Sequence, residues 1–172
     1  AEISTLMAAE GDSGNKINIT NDGGRNFTAT VDDGSVAAAD LNTISGKTGG
    51  TVTATGATTI TGTAAALNTL IADSEVTLDS DYLVTIASGS ASAAHLNTIN
   101  GDTSGLITAT AVTNLTGTAA AMATLMGQEG SSGNKVDLAT DFTATVDSGS
   151  VAASHLTTIS AKTTGNITAT GV

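Results

Sequence analysis

The residues most able to do chemistry in this chain are aspartates in predicted turns, beside glycine and asparagine. Hard cations such as Ca²⁺ prefer carboxylate oxygens, and stacked turns would bring several of them together. The sequence predicts a weak calcium site in the acidic turns of Asp22, Asp32, Asp33, Asp79, Asp81, Asp141 and Asp147, and no other cofactor. The Gly-Gly-x-Gly-x-Asp nonapeptide and the EF-hand spacing are both missing from the chain. The alternative is therefore that these aspartates only close turns.

The sequence contains few residues whose type and context suit catalysis. The two histidines, His95 and His155, occupy the same position of an internal repeat, where another copy has Asp40. This position is expected to be an exposed helix site that tolerates different residues. No serine has the context of a nucleophile elbow, no glycine run follows a nucleotide-binding pattern, and the chain has no cysteine. The sequence predicts a protein that is not an enzyme.

Threonines that alternate with other residues form a further candidate surface. Side chains at positions i and i+2 share one face of a strand, so stacked strands would present flat ranks of hydroxyl groups. The sets are Thr28/Thr30, Thr51/Thr53/Thr55, Thr108/Thr110, Thr143/Thr145 and Thr168/Thr170. Such a surface could bind ice or a polysaccharide. The simpler interpretation is that threonine suits the solvent face of a strand.

Charge and composition exclude several classes of partner. With 16 acidic and five basic residues, the chain has a formal net charge of −11. It lacks the basic surface that nucleic acids or anionic membranes require. No apolar run approaches the ~18 residues of a transmembrane helix, so membrane insertion is not expected. Aromatic residues make up only 2% of the chain, so any core must be thin and built from small aliphatic side chains.

An internal repeat organises the whole sequence. One four-residue word recurs six times, and the gaps between its copies alternate between short and long, so the true unit is a pair of half-units. The half-units end near residues 6, 44, 70, 99, 125 and 159. They pair into three repeats of about 60 residues each. The words are Ile3–Leu6, Leu41–Ile44, Leu67–Leu70, Leu96–Ile99, Met122–Leu125 and Leu156–Ile159.

Each half-unit is predicted to contain two strands and a short helix. The alanine-rich stretch before each word favours a helix, with N-caps at Ser35, Thr63, Ser90, Thr118 and Ser150. Alternating threonine and aliphatic residues after the word predict strands. Since no single unit can bury a face, the fold class is predicted to be an α/β repeat, a solenoid of strand–strand–short helix units. The sequence leaves open whether the two strands of a unit are neighbours in one sheet.

The phase of the repeat suggests how the array continues. Ala1 matches Ala120 and Val172 matches Val112, so joining the two ends would omit only the equivalents of residues 113–119. The chain is interpreted as one continuous array over residues 1–172, open at both ends, with no visible polar caps. It is either a segment of a longer array or a protomer that stacks head to tail on copies of itself. A recombinant fragment cut in phase with the repeat is a further alternative.

Two segments, residues 59–70 and 36–48, resemble repeats in long, low-complexity surface or secreted proteins of aquatic bacteria, notably cyanobacteria. Proteins of that group are often described as haemolysin-like or calcium-binding. The resemblance implies an extracellular or cell-surface location and a structural or adhesive role, and it transfers no functional residue. We therefore expect a structural protein that assembles into a filament, sheath or surface layer. The alternative is a binding module, either an adhesin stalk segment or an ice- or polysaccharide-binding face.

Overall fold

The computed structural model of the chain describes residues 26–31, 34–129 and 135–171, and within them it is an α/β structure with five helices and twelve strands. The helices are α1 (Ala38–Ser45), α2 (Ala64–Ile71), α3 (Ala93–Asp102), α4 (Ala119–Met126) and α5 (Ala153–Ser160). The strands are β1 (Ala29–Thr30), β2 (Ser35–Ala37), β3 (Val52–Ala54), β4 (Thr59–Gly62), β5 (Val76–Leu78), β6 (Leu83–Ile86), β7 (Gly89–Ser92), β8 (Ile107–Ala109), β9 (Val112–Gly117), β10 (Val136–Leu138), β11 (Thr143–Val146) and β12 (Ile167–Ala169).

The strands form three parallel sheets, with orders β1-β3-β5, β2-β4-β6-β8-β10 and β7-β9-β11-β12. Most paired strands follow one another at a nearly constant offset along the chain, as in Val52↔Val76 and Ala144↔Ile167. The offset is larger for β8–β10 and β9–β11, across the longer segment that follows α4. Consecutive strands such as β3 and β4 lie in different sheets. The two predicted strands of a unit are therefore not neighbours in one sheet.

The helix starts confirm part of the capping prediction. Thr63 and Thr118 are N-caps, and their hydroxyl oxygens accept hydrogen bonds from the backbone N–H groups of Ala66 and Ala121 at 3.1 and 3.2 Å. The residue before the second of these caps, Gly117, has φ +131°, a conformation that glycine adopts without strain. This glycine lets the chain turn from β9 directly into α4.

The other three predicted N-caps are wrong. Ser35 and Ser90 lie in strands β2 and β7, and the corresponding helices begin after Ala37 and Ser92. Ser150 lies two residues before the N-cap of α5. The physical reason for the first two is strand pairing, since β2 and β7 bond in parallel to β4 and β9. Because Ser35 and Ser90 pair as strand residues, each helix begins further along the chain than the sequence predicts.

The core is a thin layer of aliphatic side chains between the helices and the sheets. Leu41, Leu67, Leu96 and Met122, the first residues of four of the repeated words, are all fully buried. Each helix packs on the next along the chain, from α1 to α5. Alanine on the helices permits this close approach, so small residues provide the core.

Asparagines of the repeated word join neighbouring helices. The side-chain amide of Asn42 in α1 donates to the backbone carbonyl of Ala66 in α2 at 3.0 Å. Asn97 in α3 makes the same bond to Ala121 in α4 at 2.9 Å. The word therefore contributes both an apolar contact to the core and a polar contact to the next helix.

Among the residues that the structure describes, no helix has the length and apolar character needed to cross a lipid bilayer.

A threonine clasp fixes the chain where it enters three of the strands. The Thr103 hydroxyl donates to the backbone carbonyl of Tyr82 at 2.6 Å, and its oxygen accepts from the N–H of Gly105 at 3.0 Å. The same contacts recur in two other sets, Phe142/Thr163/Gly165 and Phe27/Thr48/Gly50. Thr103 is 2% exposed, so the clasp satisfies backbone groups that water does not reach. It fixes the backbone of each aromatic residue, and the side chains of Tyr82 and Phe142 are fully buried in the core.

Tyr82 is the one clasped aromatic residue with a polar tip. Its hydroxyl donates to a carboxylate oxygen of Asp102 at 2.7 Å, while its ring is buried. Burial, together with the hydrogen bond to Asp102 and the negative charge of that group, raises the pKa of the Tyr82 phenol. Phenylalanine stands at the matching positions, Phe27 and Phe142, so the same packing should tolerate the Tyr82→Phe substitution.

We expect Tyr82 to make the stability of the fold sensitive to alkali. An unfolded tyrosine ionises near pH ~10, whereas the folded state keeps this phenol protonated. Its contribution is complete below that pH and is lost as the pH rises through the folded pKa, by at most about 1.4 kcal/mol per pH unit. The free energy of unfolding of the natural chain should therefore fall more steeply above pH ~10 than that of Tyr82→Phe. Denaturant titrations at several pH values measure this, and parallel profiles would show that the phenol titrates normally.

Candidate functional site

The face formed by α5, β12 and residues 149–152, hereafter the α5–β12 face, carries apolar side chains that are only partly covered. Val151, Leu156, Ile167 and Ala169 are half-buried and pack against the edge of the core. A shallow depression of about 600 Å³ lies there, lined by Leu156, Thr157, Ser160, Ala161, Ile167 and Ala169. Its surface is mainly apolar.

The same residue types are buried wherever another element follows. Leu96 of α3 matches Leu156 in sequence, and Ile107 and Ala109 of β8 match Ile167 and Ala169; all three are 0% exposed. They are covered because α4 packs on α3, and β10 pairs with the second edge of β8. The α5–β12 face therefore has the composition of a buried layer, and no described helix or strand covers it as α4 and β10 cover α3 and β8.

The backbone of this face also offers open pairing groups. Strand β12 pairs with β11 on one side, and no described residue pairs with its other edge. Residues 150–152 match β2 and β7 in sequence, yet no described segment pairs with them as a strand. Ala152 is nevertheless extended, with φ −75° and ψ 131°. A parallel strand could add to this face by main-chain hydrogen bonding.

Hydroxyl ranks run across the solvent faces of all three sheets, as the sequence predicts. The strand registers align Thr30–Thr53–Thr77, Thr61–Thr85–Thr108 and Thr116–Thr145–Thr168 on adjacent parallel strands. Neighbours in a rank are about 4.8 Å apart along the hydrogen-bonding direction, the spacing of adjacent strands. In the second sheet, the residue that follows Thr108 in the rank is Asp137 on β10. The threonines are exposed or half-buried, and the hydroxyls of Thr61, Thr116 and Thr145 donate hydrogen bonds to groups on neighbouring strands.

The side chain of Asn114 makes hydrogen bonds to hydroxyl groups on both strands that pair with β9. Its side-chain carbonyl oxygen accepts from the hydroxyls of Thr143 and Thr145 at 3.0 and 3.2 Å. Its amide donates to the hydroxyl of Ser90 at 3.2 Å. These contacts from Asn114 on β9 orient hydroxyl groups on β7 and β11, and the sequence patterns did not predict them. The residue pattern offers no signal for this, because the partners are 24 to 31 positions apart.

The predicted acidic turns are spread along the molecule. Asp79 and Asp81 lie between β5 and β6, Asp141 precedes β11, and Asp147 follows it, whereas Asp22, Asp32 and Asp33 lie outside the described residues. One carboxylate oxygen of Asp79 accepts from the N–H of Ser80 at 2.7 Å, a local turn contact. Within residues 26–31, 34–129 and 135–171, no three acidic, histidine or cysteine side chains converge as a metal site would require. The calcium site stays a prediction.

The two histidines lie on helices at matching positions, His95 on α3 and His155 on α5. Both are half-buried, in contrast to the exposed position expected from the sequence. His155 lines a second depression of about 300 Å³ together with Asp147 and residues 118–120. It lies on the flank of the helix that faces the preceding turn, which accounts for its partial cover.

Comparison of the chain with protein-family models, with curated protein sequences and with solved structures finds no match.

Proposed function

We propose that this chain is a structural repeat protein, an α/β solenoid that stacks end to end into a filament, sheath or surface layer outside the cell. Its partners are copies of itself, joined head to tail. It forms one continuous array over residues 1–172, in six half-units that pair into three repeats. The extracellular location rests on the resemblance of residues 36–48 and 59–70 to surface repeat proteins.

The regular spacing of strand partners supports the solenoid. Pairs such as Ser35↔Thr59 and Thr59↔Leu83 step along the chain by the same amount, so each pass of the chain lies on the one before, in parallel. Helices α1 to α5 follow the same order, and each packs on the next. The larger step of Ile107↔Val136 spans a longer segment after α4, and the pairing there is parallel like the others.

The proportion of strands to helices gives the array its curvature. Within one sheet, successive strands are separated along the chain by one helix. In the five-stranded sheet, for example, α1 lies between β2 and β4, and α4 lies between β8 and β10. Strands lie about 4.8 Å apart, whereas packed helices lie about 8–10 Å apart. The helices therefore take the outer, convex side, and a stack of copies winds as a curved filament instead of a straight rod.

The α5–β12 face is the observation that carries the assembly proposal. Its aliphatic side chains are of the same types as the side chains that are buried at the matching positions of α3 and β8. No described strand pairs with the outer edge of β12, so a parallel strand can add there. Covering it removes apolar surface from water at about 25 cal/mol per Å² and satisfies edge hydrogen bonds. The acidic, aromatic-poor sides of the array should resist lateral clumping, so growth along one axis is favoured.

Sedimentation velocity at increasing protein concentration tests this proposal. A structural stacking protein should shift from single chains to a series of longer species, with no single closed oligomer as the limit. Raising the salt concentration should preserve the series, because the contact is apolar. A single-chain species that persists at the highest soluble concentration would exclude the proposal.

The threonine ranks favour a second candidate, a face that binds ice or a polysaccharide. Aligned hydroxyls at a regular spacing could order water or match repeated sugar hydroxyls, and Asn114 holds part of one rank in place. The corresponding stalk variant would use the array as an adhesin spacer. These are binding functions of the sheet faces, independent of the α5–β12 face.

Thermal hysteresis provides the test of the ice-binding candidate. If the ranks bind ice, the chain should lower the freezing point below the melting point, and Thr85→Tyr with Thr145→Tyr should narrow the gap by disrupting two of the three ranks. Thr98→Tyr, on the exposed surface of α3, is the matched control and should leave the gap unchanged. No thermal hysteresis at high protein concentration would remove this candidate.

Calcium dependence is a separate prediction from the acidic turns. If weak sites form with a Kd of about 1 mM, then about 10 mM Ca²⁺ stabilises the fold by about 1.4 kcal/mol. The melting temperature should then rise between a chelator and millimolar Ca²⁺. Mg²⁺ at the same ionic strength is the control. An unchanged melting temperature would leave the aspartates as turn residues only.

A further inference from the structure

The segment over residues 1–19 matches in sequence, without a gap, the segment over residues 120–138. Both contain Thr-Leu-Met, and both end in Gly-Asn-Lys followed by an alternation of aliphatic and polar residues. Ile3 and Leu6 match Met122 and Leu125, and Ile17 and Ile19 match Val136 and Leu138. The apolar positions of the two segments therefore coincide.

The structure shows what residues 120–129 and 135–138 cover. Helix α4 packs on α3, and β10 pairs with β8 in the register Val136↔Ile107, Asp137↔Thr108 and Leu138↔Ala109. Met122 and Leu125 are 0% exposed, so this segment closes the layer that α3 and β8 begin. The layer of α3 and β8 is thus covered by one helix, α4, and one parallel strand, β10.

The layer that α4 and β10 cover, formed by α3 and β8, matches the α5–β12 face in sequence. Leu156 stands where α3 has Leu96, and Ile167, Thr168 and Ala169 stand where β8 has Ile107, Thr108 and Ala109. The free edge of β12 corresponds to the edge of β8 that β10 occupies. A segment with the sequence of residues 1–19 therefore fits this face in side-chain size and in pairing register.

We infer that the occupant of the α5–β12 face is the segment 1–19 of a second copy, with Ile17, Asn18 and Ile19 of that copy paired in parallel with Ile167, Thr168 and Ala169. This inference rests on the proposed end-to-end assembly and adds the partner segment and its register to it. Ile3 and Leu6 of the second copy then cover Leu156, as Met122 and Leu125 cover the layer of α3. Asn18 and Thr168 become solvent-facing neighbours on adjacent strands.

Cysteine pairs test this register directly, because the natural chain has no cysteine. Neighbouring parallel strands place paired Cα atoms about 4.8 Å apart, within the range that a disulfide spans. The variant with Asn18→Cys and Thr168→Cys should form covalent dimers and longer multimers under mild oxidation. The control combines Asn18→Cys with Thr145→Cys, which lies on β11 between two paired strands and should not cross-link.

The outcomes separate this inference from the proposed assembly. Multimers in the test pair and none in the control support the stated register. Self-association in sedimentation without the cross-link would retain the assembly and overturn the register. A cross-link confined to single chains would overturn the second copy as occupant, since the segment would then come from the same chain. Absence of both association and cross-link would overturn assembly and register together.

Discussion

Replacement of Gly105 by alanine is expected to lower the free energy of unfolding by about 1–3 kcal/mol or more, through overpacking against the backbone. A Cβ at Gly105 would lie 2.6 Å from the carbonyl oxygen of Asp81 and closer still to that of Tyr82. Neither oxygen can move without disturbing the entry into β6. The clasp from Thr103 would break as well, which leaves the buried carbonyl of Tyr82 without its donor.

Gly101→Ala is the matched control for this substitution. Gly101 lies in α3, and a Cβ there would meet nothing within 4 Å. Alanine is favoured over glycine in a helix by about 0.5–1 kcal/mol, so this variant should be slightly more stable than the natural chain. Urea denaturation followed by circular dichroism measures both. Equal stabilities for the two variants would contradict the contacts assigned to Gly105.

Leu156→Glu is expected to abolish end-to-end association while the chain stays folded. The glutamate would place an unpaired charge in an apolar contact, at a cost of at least about 3 kcal/mol, so association should weaken by about 100-fold or more. Leu156 is half-buried in the single chain, so its polar replacement remains partly hydrated there. Sedimentation velocity should show single chains with an unchanged melting temperature.

Leu83→Glu is the corresponding control, because Leu83 is 46% exposed on the solvent face of β6 and far from the α5–β12 face in the strand order. This variant adds the same charge and should assemble like the natural chain. If Leu83→Glu and Leu156→Glu reduced association equally, net charge would be the cause, and the α5–β12 face would lose its assigned role.

Local patterns predicted the features of this fold that depend on neighbouring residues. Strands β3, β8 and β12 lie where threonine and aliphatic residues alternate, because alternation itself requires one buried and one exposed face. Thr63 and Thr118 cap helices because each follows a glycine that turns the chain. The alignment of hydroxyl groups also followed from alternation, once stacked strands were assumed.

Features that depend on distant residues were missed. Ser35 and Ser90 are residues of a type that caps helices, yet pairing with Thr59 and Asn114, about 24 residues later in the chain, places them in β2 and β7. The distribution of strands over three sheets likewise depends on a register that no local pattern contains.

The threonine clasp did carry a signal in the sequence. A threonine follows each of Phe27, Tyr82 and Phe142 at the same distance along the chain, and a glycine stands two positions after that threonine. The three copies of this spacing could have identified the clasp, because a repeated distance between an aromatic residue and a threonine indicates a repeated contact between them.

The calcium prediction illustrates the limit of local patterns. The turns of Asp79, Asp81, Asp141 and Asp147 resemble one another in composition, but only their spatial arrangement decides whether carboxylates meet. In the part of the chain that the structure describes, the side-chain contact shown for Asp79 is with its own turn. Turn composition alone therefore identifies candidate ligands and not a site.

Electron microscopy of the purified chain at high concentration is the most direct measurement of the proposed assembly. We expect curved filaments of uniform width, with a periodicity along the path of about 4.8 Å from strands stacked in that direction. The Leu156→Glu variant should show none. Dispersed single particles of the natural chain, or side-by-side bundles without that periodicity, would contradict end-to-end stacking through the α5–β12 face.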